Sequence, residues 1–202
     1  MKRCKLVIED SIKNLKDYIK DVYEKTNRVI GRNIFRGHSR SISTDIEDGI
    51  AILIASLLDS EKFKILLDPS IYVANKNHRP DILVVNEKNE VVFMIEVKAN
   101  MGWCRDAGGV LNGMMATHKL FHEKQILTCK IEENQIQVSY GNPRLFLVSL
   151  TDGNCNAEKH ALNKSYAQTI NVKQYNLFSG WYGSLYDCEI NEFCKDLLEI
   201  QI

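Results

Sequence analysis

The spacing of apolar and polar residues predicts four helices. In residues 7–26, isoleucine, leucine and valine recur every three or four positions with lysine and aspartate between them, which is the pattern of an amphipathic helix. Residues 44–59 repeat this pattern, and Ser43 or Thr44 is placed to act as the N-cap of that helix. The other two predicted helices cover Gly108–Lys124 and Glu189–Ile200.

The centre of the chain predicts strands. Val91–Lys98 is the clearest strand, because it is rich in β-formers and both of its faces are largely apolar. The remaining predicted strands are Phe63–Leu67 with an extension at Ile71–Val73, Asp81–Val85 before a turn at 86–89, Ile136–Tyr140, and Arg144–Thr151. Residues 153–175 show no decisive pattern. The order of helices and strands from residue 44 onwards predicts an α/β fold with a mixed central β-sheet flanked by helices.

Composition narrows the class of protein. The chain has 202 residues, of which 45% are hydrophobic and 26% are charged, and this balance excludes disordered, collagen-like and fibrous proteins. Basic and acidic residues number 26 each. No net positive field therefore draws the protein to nucleic acid or to a membrane, and any such attraction must come from a local patch.

No repeat or low-complexity tract divides the chain, and no linker rich in proline and glycine does so. We therefore expect a single domain over residues 1–202. Within it, residues 1–42 are assigned to an N-terminal helix and a basic connector, and residues 43–151 to the core. Residues 152–202 are assigned to a C-terminal extension.

The six cysteines include no CxxC pair, which favours reduced, mostly buried thiols in a cytoplasm. The first ten residues lack the apolar region of a signal peptide. The longest strongly apolar run, Ile50–Leu58, is too short to cross a bilayer. We accordingly expect a cytoplasmic protein without a membrane partner.

Three charged residues occupy positions where the predicted sheet would bury them. Glu96 and Lys98 lie two residues apart on one strand, so their side chains face the same way. Burial of these charges is costly unless they pair or meet a metal ion. If the strands 81–85 and 91–97 form a hairpin, Asp81 comes close to Glu96. Two carboxylates beside a lysine make a site for a hard cation such as Mg²⁺.

These residues match a known signature. Pro80-Asp81, followed after fourteen residues by Glu96-Val97-Lys98, resembles the PD-(D/E)xK motif of the restriction-endonuclease-like nucleases. The order αβββαβ over residues 44–150 also resembles the core of that family. The alternative is an ordinary β-hairpin that carries a surface Glu–Lys pair.

The resemblance implies a role for each residue of the motif. Asp81, Glu96 and the carbonyl of Val97 would bind Mg²⁺, for which Mn²⁺ can substitute. Lys98 would position the attacking water, and the reaction would be hydrolysis of a phosphodiester bond.

The family often adds an acid from the preceding helix. The candidates in this chain are Asp45, Glu47 and Asp48. At 100° per residue, Glu47 lies on the apolar stripe of its helix. Asp48 lies to one side of that stripe, and Asp45 lies on the far side. Glu47 is therefore the expected catalytic acid, which would contact the metal through water or hold a second metal. The alternative is a capping box between Thr44 and Glu47.

Phosphate contacts need a basic surface, and the connector provides one. Arginine recurs every four residues at Arg28, Arg32, Arg36 and Arg40, with no acid between Glu24 and Asp45. Such residues can bind phosphates, and a solvated polar connector is the alternative.

Arg79, which precedes the motif, would add positive charge beside the metal site. Arg105 in the following loop would clamp a phosphate, and its alternative is an ion pair with Asp106. Trp103 in that loop would stack on a base or pack in the core.

His118 and His122 have the spacing of a zinc-binding pair on a helix. The chain lacks the glutamate of an HExxH motif at this point, so an ordinary helix pair is the favoured interpretation.

Together these features predict a metal-dependent endonuclease. A small chain of this kind is most similar to the Type II restriction enzymes, which implies double-stranded DNA as the substrate and a homodimer as the assembly. One alternative is a defence, repair or toxin nuclease acting on single-stranded or branched DNA or on RNA. An alternative of another class is a non-catalytic nucleic-acid-binding scaffold with the same fold.

Overall fold

A computed structural model describes residues 2–26, 42–100, 107–152, 157–181 and 184–201. The helices are α1 (Lys2–Thr26), α2 (Ser43–Leu57), α3 (Ala107–Lys124), α4 (Ala157–Thr169) and α5 (Ile190–Leu198), with a final 3-10 turn at Glu199–Gln201. The strands are β1 (Phe63–Leu67), β2 (Ser70–Val73), β3 (Lys76–His78), β4 (Ile82–Asn86), β5 (Val91–Asn100), β6 (Ile126–Ile131), β7 (Asn134–Ser139), β8 (Arg144–Thr151), β9 (Val172–Trp181) and β10 (Ser184–Asp187).

The main sheet has six strands in the order β1-β4-β5-β8-β9-β10. The pairs β1–β4, β4–β5 and β9–β10 are antiparallel, whereas β5–β8 and β8–β9 are parallel. The sheet is therefore mixed, as the sequence predicts. Its central strands β5 and β8 run in the same direction because α3 and the β6–β7 hairpin intervene between them.

Two apolar cores cover the two faces of this sheet. On one face, α1, α2 and α5 pack against alternate residues of the central strands, among them Phe93, Ile95 and Val97. On the other face, α3 and a four-stranded sheet in the order β3-β2-β6-β7 enclose the second core, to which Met94 and Leu147 belong. A strand covered on both faces is apolar on both faces, which explains the composition of β5.

The predicted core elements are present, and two local predictions are wrong. Ile71–Val73 does not extend β1. It belongs to β2 of the smaller sheet, because Asp68 adopts a φ of 44° beside Pro69 and the chain turns away there. The N-cap of α2 is Ile42 rather than Ser43 or Thr44, and no side chain caps the helix. Ile42 and Ile46 are both buried at this end of the helix.

The stretch 153–175 contains α4 and the start of β9. The helix α4 has little apolar periodicity and buries only Ala167 in its interior face, so its amphipathic signal is weak. The strand β9 nevertheless lies beside β8 inside the main sheet, and the C-terminal segment is an integral part of the fold.

Two further observations bear on the sequence analysis. Of the cysteines in the described part of the chain, Cys129 and Cys194 are buried free thiols and Cys188 is an exposed one. Within the same residues, no helix combines the length and the apolar character needed to cross a membrane.

Candidate active site

The strand β5 places Glu96 and Lys98 on the same face of the main sheet. Ile95, which precedes Glu96, and Val97, which lies between the two charged residues, point into the apolar core on the opposite face. Both charged residues are partly exposed at the end of an otherwise buried strand. The site therefore forms at partly exposed positions in the second half of β5, between buried residues of the same strand.

Asp81 lies next to this pair, as the predicted hairpin requires. Ile82 of β4 pairs with Ile95 of β5, and the backbone N–H of Val97 donates a 2.6 Å hydrogen bond to Oδ2 of Asp81. A buried backbone donor thus orients the carboxylate from the neighbouring strand.

The ammonium of Lys98 lies against three oxygen atoms. Its Nζ is 2.6 Å from Oε1 of Glu96, 3.0 Å from the carbonyl oxygen of Val97 and 3.9 Å from Oδ2 of Asp81. These are the same three groups that the family resemblance assigns to a metal ion. A positive charge therefore already occupies the place between them.

Burial and neighbouring carboxylates raise the pKa of two acids at this site, Asp81 and Glu47. Burial and the negative charge of Glu96 raise the pKa of Asp81 to about 7, against the opposing effects of the Val97 N–H and of Lys98. Burial likewise raises the pKa of Glu47, while Lys98 lowers it and the carboxylates of Asp68 and Glu96 raise it. Carboxylates crowded in this way are stabilised by a bound cation.

Glu47 is the acid of α2 that shares this electrostatic environment. Burial raises the pKa of Tyr18 and the charges of Asp48 and Asp45 raise it further, so these two acids lie near α1 instead. The capping box with Thr44 does not form, because the N-cap of α2 is Ile42, two residues earlier, and no side chain caps the helix. The role of Glu47 as the acid contributed by α2 stays a prediction.

The donor set suits a hard divalent cation. It consists of two carboxylates and one carbonyl oxygen, with a third acid nearby, and oxygen ligands of this kind bind Mg²⁺ while leaving room for water. In the described residues, no group of three or more histidine, cysteine, aspartate or glutamate side chains is close enough to hold a metal by itself.

A cleft of about 310 Å³ opens beside these groups, between β5 and α3. Glu96, Lys98 and Arg79 line one side, and the turn of α3 that contains Gly109 and Gly113 lines the other. Glycine has no side chain, so these two positions add no side-chain atoms to this wall. A substrate that enters the cleft would meet the charged groups directly.

Of the basic residues that the sequence predicts for nucleic-acid binding, the structure places Arg79 at this cleft. Its side chain is 61% exposed and lies 4.0 Å from the carboxylate of Asp68, a loose pair that leaves it available to an anion. Arg28, Arg32, Arg36, Arg40 and Arg105, together with Trp103, lie outside the described residues. Their phosphate contacts stay predictions.

The two helical histidines, His118 and His122, contact the segment that directly follows β7. Nδ1 of His118 is 2.9 Å from the hydroxyl of Tyr140, and Nδ1 of His122 is 2.6 Å from the carbonyl oxygen of Gly141. Each ring thus has a protein partner, as the favoured interpretation of this pair requires.

Sequence analysis does not single out the polar residues that lie beyond Lys98 on the next two strands. Ser149 of β8 pairs with Lys98 in the register of the sheet, and Asn176 of β9 pairs with Ser149. Both are buried. The signal for Ser149 is a polar residue within a buried strand, whereas β9 lies largely in the stretch that has no decisive pattern.

Comparison with known proteins supports the fold. No protein-family model matches the chain, and no curated protein matches it either. A solved structure of NucC from P. aeruginosa ATCC27853, in its cAAA-bound form, is similar with a TM-score of 0.56 and 10% sequence identity. The match covers 98% of this chain and 90% of the NucC chain.

The chain therefore shares its fold with NucC. This confirms the predicted fold class. At this level of identity the likeness concerns the fold, and it does not single out the Type II restriction enzymes.

Proposed function

We propose that this protein is a nuclease that hydrolyses phosphodiester bonds with a divalent metal ion, Mg²⁺ or Mn²⁺. The observation that carries the proposal is the Lys98 ammonium, which lies on Glu96, on the Val97 carbonyl and beside Asp81. The two carboxylates and the carbonyl thus form a site that accepts a positive charge, and it lies next to an open cleft. A metal ion bound at such a site can assist the hydrolysis of a phosphodiester bond.

Each residue has a specific role in this proposal. Asp81, Glu96 and the Val97 carbonyl hold the metal, and Glu47 contacts it through water or holds a second ion. When bound, the metal lowers the pKa of a water molecule and polarises the phosphate. The Val97 N–H keeps the Asp81 carboxylate in place.

Lys98 acts on the nucleophile and on the developing charge. Its ammonium orients the attacking water and stabilises the negative charge of the transition state. Hydrolysis places the hydroxyl of that water on phosphorus and leaves a proton on the departing sugar oxygen. Arg79, at the rim of the cleft, holds a neighbouring phosphate.

DNA is the proposed substrate, and a homodimer on double-stranded DNA is the expected assembly for a restriction-like enzyme. The likeness to NucC supports the nuclease fold without adding support for restriction-like specificity. A defence nuclease acting on other nucleic acids is therefore the second candidate. A non-catalytic scaffold is less favoured, because Asp81, Glu96 and Lys98 are all retained.

Incubation of the purified protein with unmethylated phage DNA and excess Mg²⁺ tests the proposal. EDTA, Lys98→Ala and Glu96→Gln should each abolish cleavage. Lys130→Ala and Glu133→Gln are matched controls, because both residues are exposed at the smaller sheet, away from the cleft. These controls should cleave like the unaltered protein.

The products distinguish the candidates. Discrete bands that need the metal and Lys98 would establish a site-specific enzyme, whereas a smear with the same requirements would favour a defence nuclease. Single-stranded DNA, branched DNA and RNA are tested in parallel. If the protein binds nucleic acid and cleaves none of these, the scaffold is correct and the nuclease proposal is wrong.

A further inference from the structure

Buried polar residues concentrate on the face of the main sheet that carries Glu96 and Lys98. Strand alternation places them there, because the neighbouring residues Met94, Leu147 and Val172 of the same face belong to the second apolar core. In the described part of the chain, the buried polar residues of this face are Asn100, Ser149, Thr151, Gln174 and Asn176. A polar band thus continues from the candidate active site across three strands.

One row of this band begins at Lys98. Lys98 pairs with Ser149, which pairs with Asn176, in two parallel strand pairings. Adjacent strands lie about 4.8 Å apart, and the short side chain of Ser149 separates the two longer ones. The Ser149 hydroxyl donates its proton to the Thr151 carbonyl at 2.6 Å. Its lone pairs can therefore accept from an ammonium.

Asn176 provides a second acceptor in this row. Asn176 is only 2% exposed, and its Nδ2 lies 2.6 Å from Nε2 of His160 on α4. Among the described residues, its Oδ1 has no hydrogen-bond partner. A buried amide oxygen of this kind is normally satisfied by a donor, and Lys98 supplies an ammonium in the same row.

Binding of a divalent cation would displace the Lys98 ammonium from its present position. Under the proposed function, a divalent cation binds to the oxygens of Asp81 and Glu96 that the ammonium now contacts. Two cations repel each other strongly at such distances. Lys98 must therefore leave its present position, and its flexible four-carbon stem permits this.

We propose that Ser149 and Asn176 form a second acceptor site for the Lys98 ammonium, which it enters when a divalent cation binds to Asp81 and Glu96. This inference rests on the proposed function. The site would hold the displaced ammonium over β8 and β9, the two strands that follow β5 in the sheet. Asn176 is thus a positioning residue that acts through Lys98.

A double-mutant cycle on metal binding tests the proposal without measuring activity. Calorimetry gives the Mn²⁺ affinity of the unaltered protein, of Asn176→Leu, of Lys98→Ala and of the double variant. We expect Asn176→Leu to weaken Mn²⁺ binding about tenfold when Lys98 is present, because the displaced ammonium loses its acceptor. In the Lys98→Ala background, the same substitution should change the affinity less than about twofold.

Gln174→Leu is the matched control. Gln174 lies two residues before Asn176 on the same face of β9, is 4% exposed, and in the described residues has no partner for either amide atom. It stands in the row of Glu96 rather than in that of Lys98, and the apolar Leu147 lies between it and Glu96. Its replacement should leave the Mn²⁺ affinity within about twofold of the unaltered protein.

A structural measurement keeps the test decisive if Asn176→Leu folds poorly, which a thermal melt without metal would show. A crystal structure of the unaltered protein with Mn²⁺ should place Nζ of Lys98 within hydrogen-bonding distance of Oδ1 of Asn176 or Oγ of Ser149. If Nζ of Lys98 remains in contact with Glu96 in that structure, or points into solvent, the proposal is wrong.

The binding data separate this inference from the proposed function. Equal weakening of Mn²⁺ binding by Asn176→Leu with and without Lys98 would mean a structural role and would overturn the inference. If Asp81→Asn abolishes Mn²⁺ binding and Asn176→Leu leaves it unchanged, the metal site stands and the second acceptor site does not. If the unaltered protein binds no Mn²⁺, both proposals are wrong.

Discussion

The backbone N–H of Val97 donates a 2.6 Å hydrogen bond to Oδ2 of Asp81. This bond joins the carboxylate that precedes β4 to the strand that carries Glu96 and Lys98. Asp81 contributes both a hydrogen-bond acceptor and a negative charge. An asparagine at this position can accept the same hydrogen bond without carrying the charge. The structural and the electrostatic contributions of this residue can therefore be measured independently.

Asp81→Asn is expected to reduce the cleavage rate by about 100-fold or more, since the loss of one well-placed charged or polar group at a reacting centre has effects of that size. The thermal stability should be kept or increased, because the substitution removes a buried charge that Glu96 opposes. Single-turnover cleavage and a thermal melt measure the two effects.

Asp59→Asn is a suitable control for this variant, because an exposed Asp59 carboxylate also accepts a backbone N–H, that of Glu61. It should cleave at the unaltered rate. A large loss of stability in Asp81→Asn would show that the charge, rather than the hydrogen bond alone, supports the fold.

Glu47→Gln is expected to lower kcat/KM about tenfold while the protein stays folded, because Glu47 shares the electrostatic environment of Glu96 and Lys98. General acid–base and metal-positioning roles of single carboxylates contribute at least this much. Asp48→Asn removes the neighbouring acid, which lies near Tyr18 of α1 and affects the pKa of Glu47 less than Glu96 and Lys98 do, and should change kcat/KM less than about twofold. Similar losses in the two variants would contradict a specific role for Glu47.

Arg79→Ala should weaken DNA binding severalfold and reduce the slope of log affinity against log salt by about 1, which is the effect of one lost phosphate contact. Fluorescence anisotropy in EDTA, where the metal needed for cleavage is removed, measures the affinity at several salt concentrations. Arg144→Ala serves as the comparison, because Arg144 pairs with Glu199 at 2.9 Å and does not line the cleft. An unchanged salt slope for Arg79→Ala would remove this residue from the interface.

Asp196 provides a pH-dependent contribution to stability away from the site. Burial opposes its ionisation, but hydrogen bonds from Lys173, at 2.7 Å, and from Tyr175 lower its pKa overall. A lowered pKa in the folded state stabilises the protein above the pKa of the unfolded chain, about 3.9. That stability is lost as the pH falls through the folded-state value.

Asp196→Asn should therefore cost about 1–3 kcal/mol of unfolding free energy at pH 7, and less as the pH falls below about 4. Urea denaturation at both pH values measures the difference. Asp187→Asn breaks the Lys16–Asp187 pair, which is 2.5 Å long but partly exposed, and should cost less than about 1 kcal/mol. A cost for Asp196→Asn that does not depend on pH would exclude the ion pair as its source.

Local patterns in the sequence determined the elements that carry the candidate site. Alternation along Val91–Lys98 shows that Glu96 and Lys98 share a face, and the short turn before it brings Asp81 alongside. Helical periodicity placed Glu47 on the inward stripe of α2. These inferences succeed because each depends on residues that are close in sequence and on a fixed period.

Only the tertiary structure decided which distant strands meet. Nothing local shows that β8 and β9 follow β5 in parallel, since such pairings are separated by crossovers that contain α3 and α4. That pairing places Ser149 and Asn176 in one row with Lys98. It is also tertiary packing that assigns β2 to the smaller sheet. Periodicity reports which way a side chain faces, whereas its partners depend on how separate elements pack against one another.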